Sequence, residues 1–211
     1  MISADEIIER LGMQPLREEG GYFVETYKSG ELISKLGLPE RYPSERAFGT
    51  AIFYLLTPDT VSALHRLASD EIFHFYLGDP VTMLQLHPDG SSKVLTLGHD
   101  ILHDQELQVV VPSGTWQGSV LNEGGEYALL GCTVAPGFAY ADFYDGNRSA
   151  DRIIPELQDL KVGDTIKIFE QAPFDVVALE PNRIAHLVEQ LLGSLRRASL
   201  RKSELAKGAE L

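Results

Sequence analysis

Two stretches of the chain carry residue types that could do chemistry together. The first, SALHRLASDEIFHFYLG at 62–78, places an imidazole at His65 and a carboxylate at Glu71. The second, PSGTWQ, ends in the amide of Gln117. A histidine beside a carboxylate in an apolar pocket is the usual equipment for proton transfer. A histidine, a carboxylate and an amide carbonyl could also hold a divalent metal. These stretches therefore favour acid–base or metal chemistry, provided that the fold brings them together.

The elements that would position these side chains are short strands. From Ala47 to about Phe143, apolar runs such as AIFYLL, EIFHFYL and EYALLGCTV alternate with turn sequences such as TPD, GDP and PDG. Many short strands separated by turn residues predict an antiparallel sandwich or barrel. Side chains alternate between the two faces of a strand. One face of EIFHFYL is therefore expected to hold Glu71, Phe73, Phe75 and Leu77, and the other face Ile72, His74 and Tyr76.

The two stretches resemble the two sequence motifs of the cupin superfamily. The first motif has the form H-x-H, three or four residues, E, six residues and G; the second has P-x-G, two residues and H. Leu67 and Gln117 stand where the pattern has two of its histidines. The resemblance implies a jelly-roll barrel with the two motifs facing its interior. The residues that fall on the pattern are His65, Glu71, Gly78, Pro112 and Gly114.

A narrower resemblance links the chain to an uncharacterised branch, the cupin-5 or domain-of-unknown-function cupins, which has no settled reaction. GGYFVETY at 20–27 and GCTVAPGF at 131–138 carry this resemblance together with the two motifs. It implies an all-β fold: a cupin (RmlC-like) jelly-roll barrel with a short N-terminal helix and a C-terminal helical extension, assembled as a homodimer. We predict His65 and Glu71 as the catalytic residues, and Phe73, Gln117 and Tyr140 as ligand contacts.

The departures from the pattern argue against a metal cofactor. Leu67 removes one imidazole from the usual ligand set, and Gln117 replaces another with a neutral, weaker carbonyl ligand. Because fewer and weaker ligands lower the affinity for a metal, we expect no cofactor. The alternative is a divalent metal held by His65, Glu71 and Gln117.

Composition limits the partners and the compartment. The 211 residues carry a formal net charge of -13, which disfavours binding to nucleic acid and to an anionic membrane surface. The only cysteine is Cys132, so no intrachain disulfide can form, which fits a reducing compartment. The N-terminus MISADEIIER lacks the apolar core of a signal peptide, and no apolar run approaches the length of a membrane span. We expect a cytoplasmic protein.

The chain divides into two regions, a barrel domain at 1–147 and an extension at 148–211. A capping box of Ser3 and Glu6, followed by Gly12, predicts a short helix at the start. Residues 30–46 are rich in turn residues and predict a long loop that could cover the barrel mouth. In the extension, VGDTIKIFE predicts a β segment, and the apolar spacing after Pro181 predicts a helix.

These features favour a protein that binds a small polar metabolite in the barrel without a metal. If it also converts that ligand, the closest analogy is an epimerase-like or isomerase-like reaction. The dehydrorhamnose epimerases share this barrel and use an inward histidine as base, a role that falls to His65. Two alternatives stay open: a metal-dependent dioxygenase or decarboxylase, and a non-catalytic small-molecule-binding module. Aromatic residues are enriched in interface cores, which predicts a dimer interface that includes Ile72, His74, Tyr76 and Trp116.

Overall fold

A computed structural model gives the fold of residues 2–89 and 91–145. The predicted extension at 148–211 lies outside these described residues. Within them, no helix combines the length and the apolar character that crossing a bilayer requires.

The chain begins with the helix that its capping residues predict. Helix α1 spans Ala4–Leu11, and the Ser3 amide donates to Glu6 Oε2 at 2.8 Å while the Glu6 amide donates to Ser3 Oγ at 3.3 Å. Gly12 ends the helix with a φ of 65°, a left-handed conformation that costs a residue without Cβ little. The helix buries one apolar side chain, that of Ile7, in a small cluster with Met13, Leu55, Tyr127 and Leu129.

Short strands follow, and most of them coincide with the apolar runs of the sequence. In the part of the chain that the structure describes they are β1 Gln14–Pro15, β2 Tyr22–Lys28, β3 Leu32–Ile33, β4 Arg46–Ala47, β5 Thr50–Leu56, β6 Val61–Arg66, β7 Asp70–Gly78, β8 Val81–Leu86, β9 Ser92–Leu97, β10 Gln105–Glu106, β11 Gln108–Val111, β12 Trp116–Leu121, β13 Ala128–Ala135 and β14 Tyr144–Asp145.

The strands form two six-stranded sheets that enclose an apolar core. The first sheet has the order β1-β2-β5-β13-β7-β11, and the second has the order β10-β9-β8-β12-β6-β14. Neighbouring strands are antiparallel except for the short pair β9 and β10. Both sheets contribute to the core, which includes Tyr54, Phe73 and Leu130 from the first and Val81, Met83 and Leu97 from the second. The all-β, two-sheet architecture predicted from the sequence is confirmed.

The predicted loop at 30–46 is held against the rest of the fold at its C-terminal end. It contains β3 and the start of β4, which pair with each other, and Tyr42 and Arg46 within it are buried. The Arg46 guanidinium pairs with the Asp142 carboxylate through two nitrogens and donates to the carbonyl oxygens of Ser44 and Glu45. We call this ion pair the Arg46–Asp142 clasp. It ties the loop to the segment 136–143.

The structure corrects two expectations about which side chains share a face. Leu77 was expected on the interior face of β7, but it is 51% exposed, because the pairing of β7 with β13 shifts register at Tyr76 and the bulge interrupts the alternation. Trp116 was expected in one outward set with Ile72, His74 and Tyr76. It lies instead on β12 of the second sheet, whereas the other three belong to β7 of the first sheet.

A tight turn between β1 and β2 brings the chain against the backbone of β6. The Gly20 amide donates to the Leu16 carbonyl at 2.7 Å, and the Ala63 amide of β6 donates to the Glu19 carbonyl at 2.7 Å. Gly20 has a φ of 105°, and a Cβ at this position would collide with the carbonyl oxygen of Val61. Only glycine combines this φ with so close an approach.

We expect Gly20→Ala to destabilise the fold by roughly 3 kcal/mol, because it adds a steric overlap with β6 to the strain of a positive φ. Gly12→Ala is the matched control. Gly12 also has a positive φ, of 65°, but its Cβ would meet no atom within 4 Å. The control should therefore lose only about 1 kcal/mol. Urea unfolding measures both free energies, and equal losses would contradict the close approach at Gly20.

Candidate functional site

Three predicted site residues meet between the two sheets. His65 on β6 and Gln117 on β12 are direct partners in the register of the second sheet, whereas Glu71 reaches the same point from β7 of the first sheet. His65 Nε2 lies 3.9 Å from Glu71 Oε2 and 3.3 Å from Gln117 Nε2. Gln117 Nε2 also donates a short hydrogen bond to Glu71 Oε2. The sequence predicted these three residues for one site, and the fold brings them into contact.

A fourth polar side chain, that of Glu19, completes the group and was missed from the sequence. Its Oε2 lies 3.8 Å from His65 Nε2, and its Oε1 accepts a hydrogen bond of 2.7 Å from Ser62 Oγ. Glu19 belongs to the turn that Gly20 presses against β6. The only signal in the sequence is a carboxylate directly before the two glycines of GGYF. We call Glu19, His65, Glu71 and Gln117 the interior polar cluster.

The interior polar cluster is largely closed off from solvent. The side chains of His65, Glu71 and Glu19 are 3%, 9% and 14% exposed, so the cluster is most accessible on the side of Glu19. The Phe143 ring stacks on the imidazole of His65 with centroids 5.3 Å apart. Phe143 follows Asp142 directly, so the Arg46–Asp142 clasp fixes the backbone that carries this covering ring.

The hydrogen bonds assign the two nitrogens of His65 to different tasks. Nδ1 lies 2.8 Å from the carbonyl oxygen of Ala63, which can only accept, so Nδ1 carries a hydrogen and donates it. Nε2 is therefore the nitrogen that faces the carboxylates and exchanges a proton. An ionised carboxylate also only accepts, which fits the amide nitrogen of Gln117 as the atom in contact with Glu71.

The electrostatics of the cluster favour a charged imidazole. Burial on its own lowers the pKa of His65, but the charges of Glu19 and Glu71 and the hydrogen bonds outweigh it and raise this pKa to about 9. Burial raises the pKa of Glu19, an effect that His65 opposes and Glu71 reinforces. A proton on His65 Nε2 would face the amide nitrogen of Gln117. In the protonated state the amide must therefore turn its oxygen towards the ring.

Two buried oxygen atoms of β12 lack hydrogen-bond partners among the described residues. They are Gln117 Oε1 and Ser119 Oγ, and both residues are 1% exposed. A buried polar atom without a partner costs about 1–3 kcal/mol, and an atom of this kind beside titratable groups indicates a place for a further hydrogen-bond donor. Gln117 carries such an acceptor within the cluster itself.

The other two predicted ligand contacts make no hydrogen bond with the cluster among the described residues. Phe73 is 1% exposed and belongs to the apolar core. Tyr140 is 60% exposed, and its ring packs edge-on against Phe138, which in turn contacts Phe143. Tyr140 therefore lies on the outer surface of the segment that covers His65, and burial together with the charges of Glu18 and Glu19 raises the pKa of its hydroxyl.

The donor set of the cluster departs from the metal site that the fold implies. Leu67, which stands where the pattern has a second histidine, is a buried apolar side chain. Gln117 turns its nitrogen, a donor with no lone pair for a metal, towards both His65 and Glu71. Among the described residues, no group of three or more His, Cys, Asp and Glu side chains has a geometry that could hold a metal ion. We therefore derive no chemical step through a metal.

Known proteins resemble this chain in sequence and in fold. The family model described as "Cupin superfamily (DUF985)" matches residues 5–144. The uncharacterized protein YML079W of Saccharomyces cerevisiae is 30% identical over 132 residues, which cover 59% of this chain and 66% of the yeast protein. The crystal structure of protein SO0799 from Shewanella oneidensis has a TM-score of 0.61 at 29% identity, and the match covers 81% of this chain and 92% of that one. A hypothetical protein from Leishmania major has the same TM-score at 26% identity, with 81% and 94% covered.

We expect the pKa of His65 to lie near 9 and to fall in Glu19→Gln, because this variant removes one of the two charges that stabilise the imidazolium. A pKa above the unfolded value of about 6.5 stabilises the fold fully below that pH, and this stabilisation is lost as pH rises through about 9. NMR titration of the imidazole and urea unfolding between these pH values measure the two effects.

Glu18→Gln is the matched control for this titration, because Glu18 is the neighbouring carboxylate and its side chain is exposed. It removes the same charge outside the cluster and should leave the titration of His65 nearly unchanged. A midpoint near the ordinary histidine value in the unaltered protein, or equal shifts in the two variants, would contradict the pairing of His65 with Glu19.

Proposed function

We propose that this chain, which belongs to the cupin superfamily (DUF985), binds a small polar metabolite at the interior polar cluster and moves a proton on it without a metal. The reaction class is epimerase-like or isomerase-like, in which a proton leaves one atom of the ligand and returns to the same or another atom. The catalytic residues would be His65 and Glu71, as the sequence favoured, together with Glu19.

One observation carries the proposal: a single buried imidazole nitrogen faces two carboxylates between the two sheets. His65 Nε2 is 3.8 Å from Glu19 Oε2 and 3.9 Å from Glu71 Oε2. Buried carboxylates are costly unless they are paired, and two of them beside one histidine exceed what packing of the core requires. Groups with perturbed pKa values in a buried cluster are typical of acid–base catalysts.

The electrostatics suggest which group gives and which takes the proton. Because the pKa of His65 is raised to about 9, the imidazole rests charged near neutral pH and is ready to donate from Nε2. The raised pKa of Glu19 makes its carboxylate a stronger base than an exposed one. His65 is therefore the proposed acid of the first step, instead of the base that the analogy with the epimerases gave, with a carboxylate as base, and the roles reverse when the proton returns.

The related proteins support the fold without adding a reaction. The relatives in yeast, Shewanella and Leishmania are described as uncharacterized or hypothetical, or by a locus name alone. What they share with this chain is the overall fold, with TM-scores of 0.61 for the Shewanella and Leishmania structures. The assignment of proton transfer rests on the side chains of this chain.

We expect the protein to exchange a carbon-bound hydrogen of its ligand with solvent. Mass spectrometry of denatured protein identifies a metabolite that co-purifies with it. Incubation of that metabolite with enzyme in D₂O should then add deuterium. Glu71→Gln and His65→Asn should each slow the exchange by roughly two to four orders of magnitude. Their effects should combine less than additively, because both residues belong to one network.

His74→Asn is the control for the histidine variant, because His74 lies on the same strand but is paired with Thr133 outside the cluster. It should exchange deuterium at the rate of the unaltered protein. A ligand that binds at the cluster and never exchanges would identify a binding module and end the catalytic proposal. A metal content near one equivalent of a transition metal per chain, lost in His65→Ala, would contradict the proposal that the reaction needs no metal.

We also propose a homodimer. Its interface lies on the outer face of the first sheet and no longer includes Trp116, which belongs to the second sheet. Tyr76 and Leu77 are 47% and 51% exposed there, and the Tyr76 ring stacks on His74. Leu77→Asp should convert the dimer to monomer, because it places a charge in an apolar contact. Leu102→Asp, at an 87% exposed position on the other sheet's side, should not. Light scattering measures the mass, and a monomer at micromolar concentration in the unaltered protein would contradict the assembly.

A further inference from the structure

The interior polar cluster carries more negative than positive charge. Glu19 and Glu71 are two carboxylates, and His65 is the only cationic group that pairs with either of them among the described residues. With both carboxylates ionised and His65 protonated, one negative charge is left over. A ligand that adds a third negative charge within a few ångströms would be repelled strongly in so dry an interior.

The neighbouring arginines do not correct this imbalance. The Arg46 guanidinium is engaged in the clasp with Asp142. Arg66 follows His65 on β6, but strand alternation turns it to the opposite face, where its guanidinium lies 5.1 Å from the centre of the Trp116 ring. Sites that hold phosphate or carboxylate groups usually present arginine, lysine or a row of backbone amides, and the cluster presents none of these side chains.

The hydrogen-bonding capacity of the cluster points in the same direction. Gln117 Oε1 is a buried acceptor without a partner in the described part of the chain, on a residue that is 1% exposed, and it belongs to the amide that contacts both His65 and Glu71. Ser119 Oγ, two residues further along β12, is a second unpartnered atom. The unpartnered oxygens can accept hydrogen bonds, and the carboxylates attract positive charge. Together they favour a ligand group that donates several hydrogen bonds and is cationic.

We propose that the ligand of the interior polar cluster is a small molecule with a protonated amino group, held between Glu19 and Glu71 with Gln117 Oε1 as a further acceptor. An ammonium group has three donors and no acceptor, which matches two carboxylates and the amide oxygen that Gln117 leaves free when its nitrogen faces His65. This inference rests on the proposed function and narrows its substrate class to amines, such as amino sugars or amino alcohols.

A bound ammonium would also change the proton affinity of His65. A bound cation competes with the imidazolium of His65 for the same two carboxylates. Binding of an amine should therefore lower the pKa of His65, whereas a neutral polyol of the same shape should leave this pKa nearly unchanged. The titration of His65 is thus a readout of ligand class that needs no assay of turnover.

Two matched probe series test the proposal at millimolar concentration: ethanolamine, ethylene glycol and glycolate, and glucosamine, glucose and glucuronate. Each series keeps its scaffold and changes the charge from positive to neutral to negative. We expect one amine or both to shift the His65 imidazole resonance and to lower the pKa of His65 by at least about one unit, an effect that the neutral and anionic members lack. A one-unit shift corresponds to a tenfold change in proton affinity.

Glu19→Gln should weaken the binding of the amine by at least about thirtyfold, because it leaves a buried cation without one of its partners. Glu18→Gln, which removes an exposed charge one residue away, should change it by less than about twofold. The backbone amide spectrum of each variant reports whether the barrel is folded. Glu71→Gln gives an independent measurement if the Glu19 variant does not fold.

The outcomes separate this inference from the proposed function. Binding of glycolate or glucuronate that is lost in Glu71→Gln overturns the ammonium and leaves the interior site standing. Amine binding that survives both Glu19→Gln and Glu71→Gln lies elsewhere on the protein and overturns the ammonium seat and the interior site together. If no amine in either series affects His65, the ammonium is overturned.

Discussion

A carboxylate buried between two apolar sheets has to be paired, and the organisation of this fold follows from that requirement. Glu71 reaches the interior from the first sheet, and an isolated charge there would cost several kcal/mol. The second sheet provides its partners, His65 and Gln117, which are register partners on β6 and β12. Pairing between the sheets therefore fixes their relative position more narrowly than apolar packing, which tolerates small slides.

The covering of the cluster depends on a second buried pair. The Arg46–Asp142 clasp joins the end of the loop at 30–46 to the segment 136–143, and the next residue, Phe143, stacks on His65. A charged pair outside the cluster thus keeps an aromatic ring over the imidazole and limits access of water. The loop therefore helps the barrel to bury His65 and Glu19, and this burial contributes to the pKa values of both residues.

Much of the fold could be predicted from the sequence, as could three of the four residues of the interior polar cluster. The alternation of apolar side chains and the turn residues between them are short-range signals, and they identified β5 to β9 and β11 to β13. The resemblance to the cupin motifs supplied the inward positions of His65, Glu71 and Gln117. Leu77 escaped prediction because a bulge depends on pairing between distant strands, and Trp116 because sheet membership is a property of topology. Glu19 escaped because a turn residue has no periodicity, and only the tertiary contact of Gly20 with β6 turns its side chain inward.

The cluster draws its four side chains from both sheets and from the turn before β2, so a ligand seated in it would cross-link them. Binding would then be linked directly to the free energy of unfolding, since the unfolded chain has no such seat. A ligand at one hundred times its dissociation constant would add about 2.7 kcal/mol to that free energy. Thermal melting of this barrel therefore becomes a general detector of occupancy, and libraries of metabolites can be ranked by it before any reaction is known.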